Sequence, residues 1–177
     1  MRIYILRHEK RNLDNPLFDS SLTEEGLKNA NKLVPKIERI NFDTIYTSPF
    51  LRVLQTIYPY CIKNNRLVKV DNSLYESMDD VKFNNKNKNN TWQNLPDKYK
   101  NIVDKDYVSI VKNVKLRETF EEVCERVKPL IQNIIKENND VLIVSHQTIC
   151  NAILNYFDNS IENESSFKMG EYKEIII

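Results

Sequence analysis

The sequence predicts an α/β fold: a three-layer α/β/α sandwich around a mainly parallel sheet with an antiparallel edge strand. Three observations carry its α/β, mainly parallel character. Strand-like apolar runs alternate with segments of helical periodicity along the chain, the pattern of strand–helix crossovers. Two of the runs, Ile3-Tyr4-Ile5-Leu6 and Val141-Leu142-Ile143-Val144, are apolar throughout, as in short buried strands. Each is followed directly by a polar pair ending in histidine, Arg7-His8 and Ser145-His146, at the strand ends where open α/β sheets carry chemistry.

The elements follow in order. After a strand over 2–6 comes a polar loop and then Thr23-Glu24-Glu25-Gly26, a capping hydroxyl with first-turn carboxylates that suit the free amides of a helix start. Leu27, Ala30, Val34 and Ile37 line one face of that helix, and Pro35 is expected to kink or shorten it. Residues 43–47 form a second strand. Ser48 is expected to cap the next helix with Pro49 at its first position, and the helix continues through Phe50, Leu54 and Ile57 towards Tyr60. Residues 67–70 form a third strand, leading through Asp71-Asn72 to Leu74-Tyr75-Glu76. The run 82–90, asparagine and lysine apart from Phe83, buries nothing and is expected to be a mobile loop. The strongest amphipathic pattern spans 116–137, with Leu116, Phe120, Val123, Val127, Leu130, Ile131 and Ile134 in helical register and Pro129 as its awkward residue. Strand 141–144 follows, and Glu174-Ile175-Ile176-Ile177 is a last strand at an edge.

At 177 residues the chain suits a single domain over 1–177, large enough to bury about 68–75% of the surface its unfolded form exposes. A net charge of +1 with 29% charged residues of mixed sign gives no basic face, which argues against a nucleic-acid partner. Cys61, Cys124 and Cys150 are odd in number and form no C-x-x-C pair, so neither a disulfide framework nor a zinc site is expected. There is no membrane-spanning run and no signal-peptide core, so a cytoplasmic protein without a membrane partner is expected. Monomer and homodimer both fit.

The chemistry is narrowed first by absences. With Gly26 and Gly170 the only glycines, no glycine-rich loop can wrap a nucleotide phosphate. Cys61 and Arg66 are separated by four residues, one short of the cysteine phosphatase loop. The two histidines have no carboxylate at helical ligand spacing, which argues against a metal site. What remains is cationic: Arg7 and His8 after the first strand, Arg52 early in the second helix, and His146 after a late strand. Arginine forks hold two phosphate oxygens at once, and a neutral imidazole can attack phosphorus.

These stretches resemble the histidine phosphatase superfamily, also called phosphoglycerate mutase-like. Ile5-Leu6-Arg7-His8 is similar to its R-H-G signature, and residues 21–30 to its L-T-x-x-G segment. Residues 46–56, containing Ser48-Pro49, Arg52 and Gln55-Thr56, match its S-P-x-x-R-x-x-Q-T helix, and Leu74-Tyr75-Glu76 and Val144-Ser145-His146 match its L-x-E and V-S-H. The resemblance implies that His8 is a nucleophile that becomes phosphorylated and that Glu76 is the general acid. It implies that Arg7, Arg52 and His146 hold the phosphate, with the Gln147 amide as a further donor. No metal or organic cofactor is needed. The implied activity is that of a metal-independent phosphomonoesterase, histidine acid phosphatase-like, on a phosphorylated small molecule or a phosphoprotein. A short chain with an open flap favours hydrolysis over the enclosed transfer of a mutase. Two departures, Glu9 and Gln147 where the family has glycine, motivate a silent phosphate-binding protein as a rival. A mutase or protein-histidine phosphotransfer enzyme is the other. Glu9, Asp79 and Asp80 compete with Glu76 for the acid role.

Overall fold

A computed structural model describes residues 1–12, 18–77, 91–115, 117–164 and 167–177. The loop expected over 82–90 lies outside them, as do Asp79, Asp80 and Leu116. In chain order the main elements are β1 (Arg2–Arg7), α1 (Glu24–Ile37), β2 (Thr44–Thr47), α2 (Leu51–Asn64), β3 (Lys69–Val70), α3 (Asp97–Lys100), α4 (Phe120–Glu137), β4 (Val141–Ser145), α5 (Gln147–Phe157) and β5 (Tyr172–Ile176). A 3-10 turn at Asn72–Leu74 follows β3.

The sheet order is β3-β2-β4-β1-β5, parallel except for β5, which runs antiparallel to β1 at the edge. Alternation along the strands divides the apolar core between the two faces. Tyr4, Leu6, Ile45, Leu142 and Val144 pack with Leu33 and Val34 of α1 and Val53, Leu54 and Ile57 of α2. Ile3, Ile5, Tyr46, Val141 and Ile143 pack with Val123, Val127, Leu130 and Ile131 of α4 and Ile149, Ala152 and Ile153 of α5. The expected three-layer sandwich with an antiparallel edge is therefore the observed one.

Several local expectations change. Thr23 caps α1 as expected, accepting from Gly26 N at 3.1 Å, but Leu27 is 38% exposed and the inner face is completed by Leu33. Pro35 sits inside the last turns of α1, close enough to its end that little remains to be broken. α2 begins at Leu51 with Phe50 as its N-cap residue, two residues later than expected; the Ser48 hydroxyl accepts from Phe50 N at 3.5 Å, but its shorter contact is 2.8 Å to His146 Nε2 across the sheet edge. α4 begins at Phe120, where Thr119 and Glu122 form a reciprocal capping box that halts the pattern short of 116. α5, starting directly after His146, is an element beyond those expected from the sequence.

Candidate active site

Parallel pairing brings the strand ends together. Arg7 of β1 lies opposite Ser145 of β4, so His8 and His146 leave the sheet side by side. The His8 amide donates to Ser145 O at 2.9 Å, and the two imidazoles meet edge to face with centroids 5.2 Å apart. β2 flanks β4 on its other side, with Thr47 opposite Val144, which sets Ser48 Oγ 2.8 Å from His146 Nε2. Arg52, in the first turn of α2, is fully buried, with Cζ 4.5 Å from the Phe50 ring centroid. That ring also packs edge-on against His146 at 4.8 Å.

Glu76 completes the group. Its Oε2 lies 3.4 Å from Arg52 Nη2 and 3.2 Å from His146 Nδ1, and Oε1 accepts from Ser77 N at 3.1 Å. Nitrogen and oxygen atoms of His8, Glu76 and His146 all lie within 4.8 Å of one another. The backbone route to Glu76 is unusually well tied down by buried charge. Asp71, fully buried, accepts from Ser73 N at 2.8 Å, Tyr107 Oη at 2.6 Å and Ile110 N at 2.9 Å. Arg126 makes a two-pronged pair with Glu118 at 2.6 and 2.7 Å and donates through Nη1 to Ser73 O at 2.6 Å. Ser145 Oγ donates to Leu74 O at 2.9 Å, tying the strand that delivers His146 to the segment that delivers Glu76.

The protonation states follow from burial and neighbours. His8 Nδ1 is 2.7 Å from Glu9 O. A carbonyl only accepts, so Nδ1 carries the proton and Nε2 keeps its lone pair. Burial, and next the Arg52 charge, hold the His8 ring well below the ordinary imidazole range, and the same two causes act on His146. Burial raises the Glu76 carboxyl above its usual range, with Arg52 as the main opposing influence. Burial lowers Arg52 to about 10, which leaves it charged at neutral pH. Arg7 donates through Nη1 to Phe167 O at 2.5 Å, while its buried Nε has no hydrogen-bond partner among the described residues.

Of the residues named from sequence, Arg7, His8, Arg52, Glu76 and His146 gather at this one edge. Gln147 is half-buried as the first residue of α5, next to His146. Glu9 does not share the acid's place: its Oε2 accepts from Lys10 N at 3.3 Å and Asn29 Nδ2 at 3.5 Å. Of the three cations Lys10, Arg11 and Lys69, Lys10 pairs with Glu25 at 2.5 Å and Lys69 lies 5.5 Å from the rings of Tyr46 and Tyr107. Arg11 alone belongs to the site's field, its charge acting on His8, Arg52, Glu76 and His146. Cys61 is buried in α2 with its thiol pushed up to about 12, so it is no nucleophile.

No carboxylate lies at helical ligand spacing from either histidine in the sequence, but Glu76 joins them in space. Two neutral imidazoles and a carboxylate are a donor set a divalent ion can use. Here the guanidinium of Arg52 touches that carboxylate, and the charges of Arg7 and Arg11 reach the same rings. Such a field opposes a dication and favours a dianion. The arrangement can seat a phosphate-sized group against the free Nε2 of His8, spread its charge over guanidinium donors, and offer a proton from Glu76.

Comparison with known proteins agrees in sequence and in fold. The profile of the histidine phosphatase superfamily (branch 1) matches residues 3–174. A bovine (Bos taurus) 6-phosphofructo-2-kinase/fructose-2,6-bisphosphatase 3 is 27% identical over 174 residues, covering 90% of this chain and 34% of that protein. Phosphoserine phosphatase 1 of Hydrogenobacter thermophilus is 25% identical over 143 residues, covering 73% of this chain and 61% of its own. The chain thus spans about a third and about three fifths of these two relatives. The fold resembles that of phosphoserine phosphatase from Entamoeba histolytica, solved with 3-phosphoglyceric acid, at a TM-score of 0.68 and 17% identity, covering 99% of this chain and 90% of that one. It also resembles a mycobacterial glucosyl-3-phosphoglycerate phosphatase, at 0.67 and 14%, covering 98% and 91%. Among the described residues no helix is long and apolar enough to cross a membrane.

Proposed function

Because the chain belongs to the histidine phosphatase superfamily, we propose that it is a metal-independent phosphomonoesterase of the histidine acid phosphatase-like kind, working through phosphohistidine at His8. The observation that carries this reading is the 2.7 Å contact of His8 Nδ1 with Glu9 O, which assigns the proton to Nδ1 and leaves Nε2 as a lone pair among cationic donors. Nε2 attacks phosphorus and the bond from phosphorus to the ester oxygen breaks. Glu76, whose carboxyl burial raises above its ordinary range, gives its proton to the leaving alkoxide. The resulting carboxylate then takes a proton from water as that water attacks the phosphohistidine, and inorganic phosphate leaves. Arg7, Arg52 and His146 stabilise the charge on the phosphoryl oxygens at both steps, with Gln147 as a further donor.

The substrate in this reading is a phosphorylated small molecule or a phosphoprotein, met in the cytoplasm. Water is favoured over a second hydroxyl or a protein histidine as acceptor because the relatives' own names describe phosphatases. The silent-binder alternative loses its main support, since the Glu9 carboxylate is bonded to Lys10 N and Asn29 rather than set against the cationic donors. The test is hydrolysis of p-nitrophenyl phosphate in excess chelator, with folded His8→Ala as the control. Chelator-resistant turnover that falls by about 10³-fold or more in the variant is expected. Turnover abolished by chelator, or indifferent to His8→Ala, would overturn the reading.

A further inference from the structure

Both glycines of the chain face the loop behind His8. A Cβ added at Gly26 would lie 2.2 Å from Lys10 O, and one at Gly170, whose φ is +67°, would lie 2.0 Å from Glu9 Oε1. Gly26 admits no side chain while the loop backbone keeps its place, and at Gly170 a side chain would be strained by the positive φ and would displace the Glu9 carboxylate. On the Gly26 side, Lys10 O accepts from Thr23 N at 2.9 Å and from Thr23 Oγ1 at 3.2 Å, which docks the loop on the first turn of α1. On the Gly170 side, Gly170 N donates to Arg7 O at 3.1 Å and His8 O at 3.4 Å. Between them sits Glu9, 6% exposed, its carboxylate filling the space over Gly170. The Glu9 backbone is held on both sides: Glu9 N donates to Thr56 Oγ1 at 3.0 Å, and Glu9 O accepts from His8 Nδ1 at 2.7 Å.

Resting on the reading of His8 as nucleophile, we propose that Glu9 is a positioning residue whose carboxylate, packed over Gly170, fixes the peptide carbonyl that holds His8 in its Nδ1–H tautomer. Bulk at position 9 and its absence at position 170 are two halves of one packing arrangement. Removing the side chain opens a gap under the loop and lets the carbonyl rotate away from Nδ1. The attacking lone pair on Nε2 then loses its fixed tautomer and direction, a loss in kcat rather than in phosphate affinity.

The experiment measures kcat and KM for p-nitrophenyl phosphate in the parent, Glu9→Gly, Glu9→Gln, Gly170→Ala and the Glu9→Gly/Gly170→Ala double variant. It also records the imidazole ¹⁵N shifts of His8. Glu9→Gly is expected to lower kcat by about tenfold with KM within about twofold, and to shift His8 from Nδ1–H towards mixed tautomers. Glu9→Gln, which keeps shape and acceptor oxygen, recovers most of the loss. Gly170→Ala is expected to cost a larger factor in the parent than in the Glu9→Gly background, where no carboxylate meets the new methyl. An unchanged or higher kcat with lower KM in Glu9→Gly would overturn the proposal, as would equal Gly170→Ala factors in both backgrounds. Should Gly170→Ala fail to fold, the two Glu9 variants decide. Should the parent hydrolyse nothing, the ¹⁵N shifts decide: a tautomer change in Glu9→Gly supports the positioning role while the phosphatase reading fails, and unchanged shifts overturn it.

Discussion

Two buried imidazoles, His8 and His146, are held neutral by burial and by the Arg52 charge beside them. In the unfolded chain they take up protons near the ordinary 6.5, whereas in the native site they do so only well below it. Below 6.5, and until the native value is reached, the unfolded state binds more protons, so stability falls as pH falls through that window. Thermal scans are expected to show Tm declining from about pH 7 towards about pH 5, and a flatter profile in folded His8→Asn/His146→Asn. Glu76 has the opposite shift, so its proton remains available above the ordinary carboxylate range and kcat is lost on the alkaline side as it leaves. Glu76→Gln is expected to lower kcat/KM by about 10²–10⁴-fold for an alkyl phosphate, and by far less for p-nitrophenyl phosphate, whose leaving group needs no proton. Arg7, His8, Arg52 and His146 were legible in sequence because each follows a strand or opens a helix at a motif position. Glu76 was legible only by its place in the motif order, with Glu9 as a rival, because what separates the two carboxylates is a spatial neighbour: Arg52 for one and Gly170 for the other.

At the scale of elements, the segment from β3 to Glu76 is short and irregular, and its geometry rests on partners distant in sequence. Arg126 on α4, paired with buried Glu118, holds Ser73 O, and Asp71 gathers Ser73 N, Tyr107 and Ile110 N. Arg126→Met leaves the Glu118 carboxylate buried without its partner and is expected to cost about 3–5 kcal/mol in denaturant unfolding. Adding Glu118→Leu is expected to restore much of that stability by refilling the space with apolar volume. It should not restore kcat, because Ser73 O still lacks its donor and the route to Glu76 is loose. Equal recovery of stability and kcat in the double variant would show that Arg126 only supports the fold. Such ties could not be read from the sequence, since a buried Arg–Glu pair eight residues apart looks like any surface charge pattern. The same holds for the start of α2. Ser48-Pro49 is a good local cap signal, but the Ser48 hydroxyl bonds His146 Nε2 across 98 residues, and the helix starts at Leu51. α5 has no separate signal in the sequence because its apolar residues follow directly on those of β4, with only Ser145-His146-Gln147-Thr148 between.

At the scale of the molecule, a parallel order of β2, β4 and β1 brings three carboxyl ends to one edge, and all the chemistry proposed here follows from that juxtaposition. The alternation of apolar runs and helical periods foretold a mainly parallel sheet between helical layers, because burial of a strand on both faces is a local property of sequence. Which strands become neighbours is not local. That β4, late in the chain, inserts between β1 and β2 is what sets the second histidine 5.2 Å from the first. The most direct test of the central claim is to quench the protein with alkali during turnover of p-nitrophenyl phosphate and locate the phosphoryl group by peptide mass spectrometry. The account predicts one alkali-stable, acid-labile phosphoryl group on the peptide carrying His8, absent in folded His8→Ala. Turnover with the phosphoryl group on another residue, or with no covalent phosphoryl group at any quench time, would contradict it.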